Sequence, residues 1–170
     1  MSDRVKMLIT KAERCLEKPT FIEKLLGLAR DDSHKAVDYY NKAAGLEVLA
    51  GNRDSAREIY FTVARLTHRY SSYISALKQC ENYFSKKEIV EDAIQWFTYN
   101  GEVDNLAAIY LKLGDSEEIS LDDRLEYYKQ SLKFRESPWL KTKIDRLEEE
   151  AIPVVILDSS EDLVDSMDFT

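Results

Sequence analysis

The residues of this 170-residue chain whose types and order best suit chemistry lie near its end. Pro153 is followed by four consecutive aliphatic side chains, Val154, Val155, Ile156 and Leu157, and then by Asp158, Ser159, Ser160, Glu161 and Asp162. Proline cannot continue a helix, and β-branched neighbours favour an extended backbone. Such a strand can add to the edge of another protein's sheet, where main-chain bonds supply affinity and alternate side chains supply specificity. The acids would steer it toward a basic edge. Ser159 stands three residues before Asp162, so a phosphate there would add to the charge. The alternative is a stabilising arm, with Val154 to Leu157 packed back on the chain's own helices. Beyond them, Leu163, Val164, Met167 and Phe169 alternate with acids, a pattern suited to folding as a short amphipathic helix on a partner or to a solvated tail.

Groups able to catalyse are thinly spread. His34 falls at a helix entrance and His68 near a helix end, both beside bases, so they are expected as surface residues near caps. Neither a P-loop nor a GxGxxG motif occurs. Carboxylate pairs such as Asp122-Asp123, and the run Glu148 to Glu150, fit solvated helix faces or caps. Cys15 and Cys80 each stand alone in a partly apolar helical stretch, where small buried hydrophobes with free thiols are expected and a disulfide between them is the alternative. The expectation is a non-enzyme with no cofactor and no metal.

Composition limits the partners. The net charge is -8, from 24 bases and 32 acids. Five of the acids, Asp158, Glu161, Asp162, Asp165 and Asp168, lie in the tail, leaving a body near -3. A body of that charge has no broad positive field for phosphate backbones, so a protein partner is expected rather than nucleic acid. The N-terminus spaces charges through its apolar residues, unlike a secretory signal, and no window is long and apolar enough to span a membrane. An intracellular location, cytoplasmic or nuclear, is expected.

The elements that must position any site read as helices. Five Gly and three Pro in the chain leave few breaks, and 44% hydrophobic content supports a core. Val5, Leu8, Ile9, Ala12, Cys15 and Leu16 recur at i, i+3, i+4 and i+7. A second helix is expected from Thr20, capped with Glu23, to about Arg30. A third carries Ala36, Val37, Tyr40, Ala43, Ala44 and Val48 and ends at Gly51-Asn52. Asp54 or Ser55 would cap the fourth. "YISALKQCENYFSKK", "EIVEDAIQWFTYNG", "VDNLAAIYLKLGD", "LDDRLEYYKQSLKF" and "PWLKTKIDRLEEE" supply five more. Nine helices with short turns predict an all-α array of antiparallel pairs over residues 1–152, with an extended acidic tail over 153–170.

Two units share a skeleton. In the first, Tyr40 and Ala44 precede the Gly51-Asn52 turn, and Ala56 and Tyr60 follow it. In the second, Leu106, Ala107 and Tyr110 precede Gly114-Asp115, with Tyr127, Tyr128 and Ser131 beyond. This resembles a degenerate tetratricopeptide repeat, over about 65 of the 170 residues. Val63 stands where the family has its last Ala, Arg124 where it has a small residue, and no Pro closes the first unit. The resemblance implies an α-solenoid whose groove, near Tyr40, Asn41, Tyr60, Asn105 and Tyr110, binds a helix or extended peptide. Family members that clamp a terminal carboxylate use Asn and basic residues. Asn41 and Asn105 fit that pattern, but Asp38, Asp104 and Ala108 stand where bases would be wanted.

The tail resembles a SUMO-interacting motif, with Val154, Val155, Ile156 and Leu157 as its aliphatic core and Asp158, Ser159, Ser160, Glu161 and Asp162 as its acidic flank. Ser159 is similar to an acidophilic kinase site. The resemblance implies SUMO or another ubiquitin-like protein as partner. The functional expectation is a non-catalytic adaptor or scaffold. The alternative is a regulatory or structural subunit of a larger enzyme complex.

Overall fold

The computed structural model describes residues 1–17 and 32–151. Among them are eight α-helices and no strand: α1 (Asp3–Leu16), α2 (Ser33–Leu49), α3 (Arg53–Thr67), α4 (Tyr70–Leu77), α5 (Tyr83–Asn100), α6 (Val103–Gly114), α7 (Leu121–Phe134) and α8 (Pro138–Ala151). The chain is all-α. The helix expected from Thr20 to Arg30 lies outside the described residues.

Several helix boundaries have a visible chemical cause. Ser2 accepts from the Val5 amide at the start of α1, and Ser120 from the Asp123 amide at the start of α7. Pro138 opens α8, where its missing N–H is no loss. Gly51 and Gly101 take left-handed φ of 77° and 68° just past α2 and α5. In each turn the following amide, of Asn52 or Glu102, bonds back to Glu47 or Phe97 at 2.9 Å.

Two expected boundaries are corrected. Helix α3 begins at Arg53, after Asn52, rather than at a cap from Asp54 or Ser55. The Asn52 amide does not cap. It donates instead to Glu47 Oε2 at 2.7 Å, satisfying a carboxylate only 1% exposed. The expected junction near Lys87 and Glu88 falls inside α5, and the break lies at 78–82. Asn82 and Ser85 form a reciprocal capping box there, so the chain restarts as helix one turn earlier than apolar periodicity alone implied.

Packing runs along the chain, since the helix pairs in substantial contact are consecutive, from α1 on α2 to α7 on α8. Three apolar clusters result. Val5, Ala36, Ala43, Ile59 and Val63 belong to the first, Phe61, Tyr73, Ile89, Phe97 and Ile109 to the second, and Leu125, Tyr128, Leu140, Ile144 and Leu147 to the third. Helix α3 serves two clusters, turning Ile59 and Val63 to one and Phe61 and Ala64 to the next.

Helices α6 and α7 approach closely at Gly114. A Cβ on Gly114 would come within 2.5 Å of Tyr128 Cδ1 and Cε1, and Tyr128 is fully buried and cannot swing away. A Cβ on Gly45, in the middle of α2, meets nothing within 4 Å. Gly114→Ala is therefore expected to destabilise the fold by about 1–3 kcal/mol through overpacking. Gly45→Ala should be neutral or stabilising by up to about 1 kcal/mol through helix propensity. Urea unfolding of the two variants checks the ranking, and equal effects would contradict it.

Candidate functional site

The expected groove residues divide between separate parts of the structure. Tyr40 is 7% exposed and sits in the N-terminal cluster. The cause is its phase on α2: it shares one face with Ala36, Ala43, Ala44 and Glu47, all of them buried. Asn41, the next residue, is exposed. Tyr60 is half-buried and packs against both the first and second clusters. Asn105 uses its amide within the chain, donating to Glu102 Oε2 at 2.5 Å. Tyr110 is half-buried, with ring centroids 5.9 Å from Phe134 and 6.4 Å from Tyr127. Tyr40 and Tyr60 thus meet at the first cluster, and Tyr110 joins an aromatic face of α6 and α7. Val154, Val155, Ile156, Leu157, Asp158, Ser159, Glu161 and Asp162 lie outside the described residues.

A recess where α6, α7 and α8 meet was not anticipated. Its volume is about 250 Å3, and Ala107, Ala108, Leu111, Ser131 and Leu140 line it, with Arg135, Glu136 and Trp139 among its outer residues. Small residues on α6 leave the room, and Ser131 Oγ donates to the Ala107 carbonyl at 2.8 Å, tying α7 to α6. Trp139 is 59% exposed. A signal for this existed in the sequence: Leu140, Ile144 and Leu147 mark the buried stripe of α8, which leaves the preceding tryptophan off it.

Lys143 fixes the surroundings of that tryptophan. Its ammonium lies 2.7 Å from Asp115 Oδ1, 4.5 Å from the Tyr128 ring centroid and 5.1 Å from that of Trp139. Tyr128 also donates to Asp115, at 2.8 Å. Burial, the largest single influence on the Asp115 carboxyl, pushes its pKa up, but hydrogen bonds from Lys143 and Tyr128 and the charges of Lys143 and Lys112 outweigh it. The net position is below the ordinary value of 3.8. For Lys143 burial works downward, and Asp115 and Tyr128 reverse it, raising its pKa.

A smaller recess of about 100 Å3 has Leu77, Val90, Ile109 and Leu113 among its lining, with Lys86, Lys112, Asp115 and Ser116. Lys86 is held there by Ser116 at 3.1 Å and Glu118 at 3.3 Å. Both cysteines are half-buried and free, and the Cys80 thiol, pushed up by burial, donates to the Ser85 carbonyl at 3.3 Å. His34 is exposed, whereas His68, expected at the surface, is half-buried because its ring stacks on Trp96. Among the described residues no cluster of His, Cys, Asp or Glu is arranged to hold a metal ion, and no helix is long and apolar enough to cross a membrane. Compared with known proteins, the chain matches no family model and no curated protein.

The Asp115 cluster sets a pH dependence. A carboxylate depressed in the folded state contributes stability above its unfolded pKa and loses it as pH falls through the folded value. Asp115→Asn should cost less than about 1 kcal/mol at pH 7, since the side chain is 42% exposed and solvent-screened, and nothing at about pH 2. Thermal melts at the two pH values check this, and a penalty that persists in acid would contradict it.

Proposed function

We propose that the chain is a non-catalytic adaptor or scaffold that binds partner proteins through the surface of a helical array. The observation that carries this reading is Trp139, more than half exposed beside a recess lined by alanine and leucine. Exposed tryptophans beside apolar recesses are the residues that dominate protein interfaces, because one ring removes a large area from water at little entropic cost.

The array is read as a tetratricopeptide-like α-solenoid. Support comes from the succession of neighbour contacts and from the two pairs with the repeat skeleton, α2–α3 and α6–α7. In those pairs Ala44 and Ala56 are fully buried, and Tyr128 closes on Gly114. The tail is read as a second docking element, with Val154 to Leu157 adding a strand to SUMO or another ubiquitin-like protein and the acids from Asp158 to Asp162 setting the on-rate. The compartment this reading implies is the cytoplasm or nucleus.

Affinity purification with quantitative mass spectrometry tests both elements. Wild-type protein should retain a reproducible set of partners. Trp139→Ala should deplete those held by the array, by roughly tenfold or more, with the melting temperature little changed. Val155→Ala with Ile156→Ala should deplete those held by the tail. Partner sets identical across all variants would overturn the adaptor reading. If removal of residues 153–170 lowers the melting temperature by several degrees and leaves binding intact, the tail is a stabilising arm.

A further inference from the structure

A third recess, sharing no residue with the one beside Trp139, lies between the end of α3 and the last turns of α5. It has a volume of about 270 Å3 and is lined by His68, Asp92, Gln95, Trp96 and Tyr99. His68 caps α3 with a left-handed φ of 50°, the sole non-glycine residue described with positive φ. That backbone is unfavourable for a side chain with a Cβ, and its Nδ1 is buried without a hydrogen-bond partner. The imidazole nevertheless lies flat on the Trp96 indole, with ring centroids 3.6 Å apart and planes 8° apart. The ring is thus held for its face, and it fixes the indole as one wall of the recess.

The opposite character comes from Asp92. Tyr73 donates to its Oδ2 at 2.5 Å, which anchors the carboxylate, while Oδ1 has only a long contact of 3.4 Å from Arg65 Nε. Arg65 directs a shorter bond, 2.8 Å, to Glu88 and lies over the Phe61 ring at 4.1 Å. Two carboxylates therefore share one guanidinium, leaving the neighbourhood negative. Tyr99, 86% exposed, stands at the outer side.

We propose that this recess takes the basic side chain of an arginine or lysine carried on an extended segment of another protein. The aliphatic stem would lie along Trp96 and Tyr99, and the cationic head would reach Asp92 Oδ1 and the Gln95 carbonyl. Long basic side chains divide in this way, apolar stem against ring and charge toward acid, and a cation beside tryptophan gains further from the ring quadrupole. An anionic ligand meets Asp92 and Glu88. The chain's own tail cannot be the occupant, because residues 152–170 contain five acids and no base.

The test uses full-length protein and four synthetic glycine-serine peptides that differ only at one central residue: arginine, lysine, citrulline or glutamate. Binding is read from the indole N–H resonance of Trp96. The arginine and lysine peptides should shift it saturably at up to about millimolar concentration, and more weakly at high salt. Citrulline and glutamate should not. Asp92→Asn should weaken the arginine peptide about three- to tenfold. Because that change also touches Tyr73, Tyr99→Ala, at a position with no buried contact to lose, provides a second variant with a similar expected loss. Equal binding of the citrulline peptide, preferred binding of the glutamate peptide, or no saturable shift at about 10 mM would each overturn the proposal.

Discussion

Every described helix must bury itself against the helices that precede and follow it, and alanine at the crossings makes this possible. Ala12, Ala36, Ala43, Ala44, Ala56, Ala64, Ala76 and Ala93 are all fully buried, and they occur on five of the eight helices. A methyl side chain lets helix axes approach to the lower end of the usual 8–10 Å range, so that aromatic rings such as Tyr73 and Phe97 fill the grooves to either side. Gly114 takes the same logic to its limit against Tyr128. Enlarging any of these residues would push a whole helix outward, and with contacts passed from neighbour to neighbour the displacement would be handed along the chain.

Apolar packing alone does not fix register, and polar contacts between elements do so. Glu47 with Asn52 locks the turn from α2 to α3, Ser131 with the Ala107 carbonyl aligns α7 on α6, and Tyr73 with Asp92 ties α4 to α5. Each of these groups would be costly to leave unpaired once buried, so a helix slipped by one turn loses more than an apolar contact. The Lys143, Asp115 and Tyr128 cluster does the same between α8 and the end of α6, while remaining partly open to solvent.

Much of this was legible in the sequence, and what escaped has definite causes. Periodicity of apolar residues identifies helices well, and Gly51 and Gly101 mark real left-handed turns. The break at 78–82 escaped because Ile74, Leu77 and Cys80 continue a helical spacing up to Asn82, whose capping bond to Ser85 overrides it. The repeat resemblance sets Tyr40 near a groove, and its phase with Ala36 and Ala44 sets it in the first apolar cluster. The stack of His68 on Trp96 joins residues 28 positions apart across two helices, a pairing that no local pattern encodes.

The exposed apolar residues follow from the same arrangement. Leu49 ends α2, Tyr99 stands one residue from the end of α5, Val103 begins α6, Phe134 ends α7 and Trp139 is second in α8. Apart from Met7, 49% exposed in the body of α1, such side chains lie in first or last turns, which project past the adjoining helices and so stay in water. Among the described helices, which cover one another mainly in sequence order, most uncovered apolar groups lie at the turns. Both recesses with an aromatic edge lie at such ends, one at the close of α5 and one at the start of α8. The polar surroundings differ, with Asp92 and Glu88 near the first and Arg135, Glu136 and Lys143 near the second. The two recesses therefore differ in charge while the packing that holds the helices together is the same.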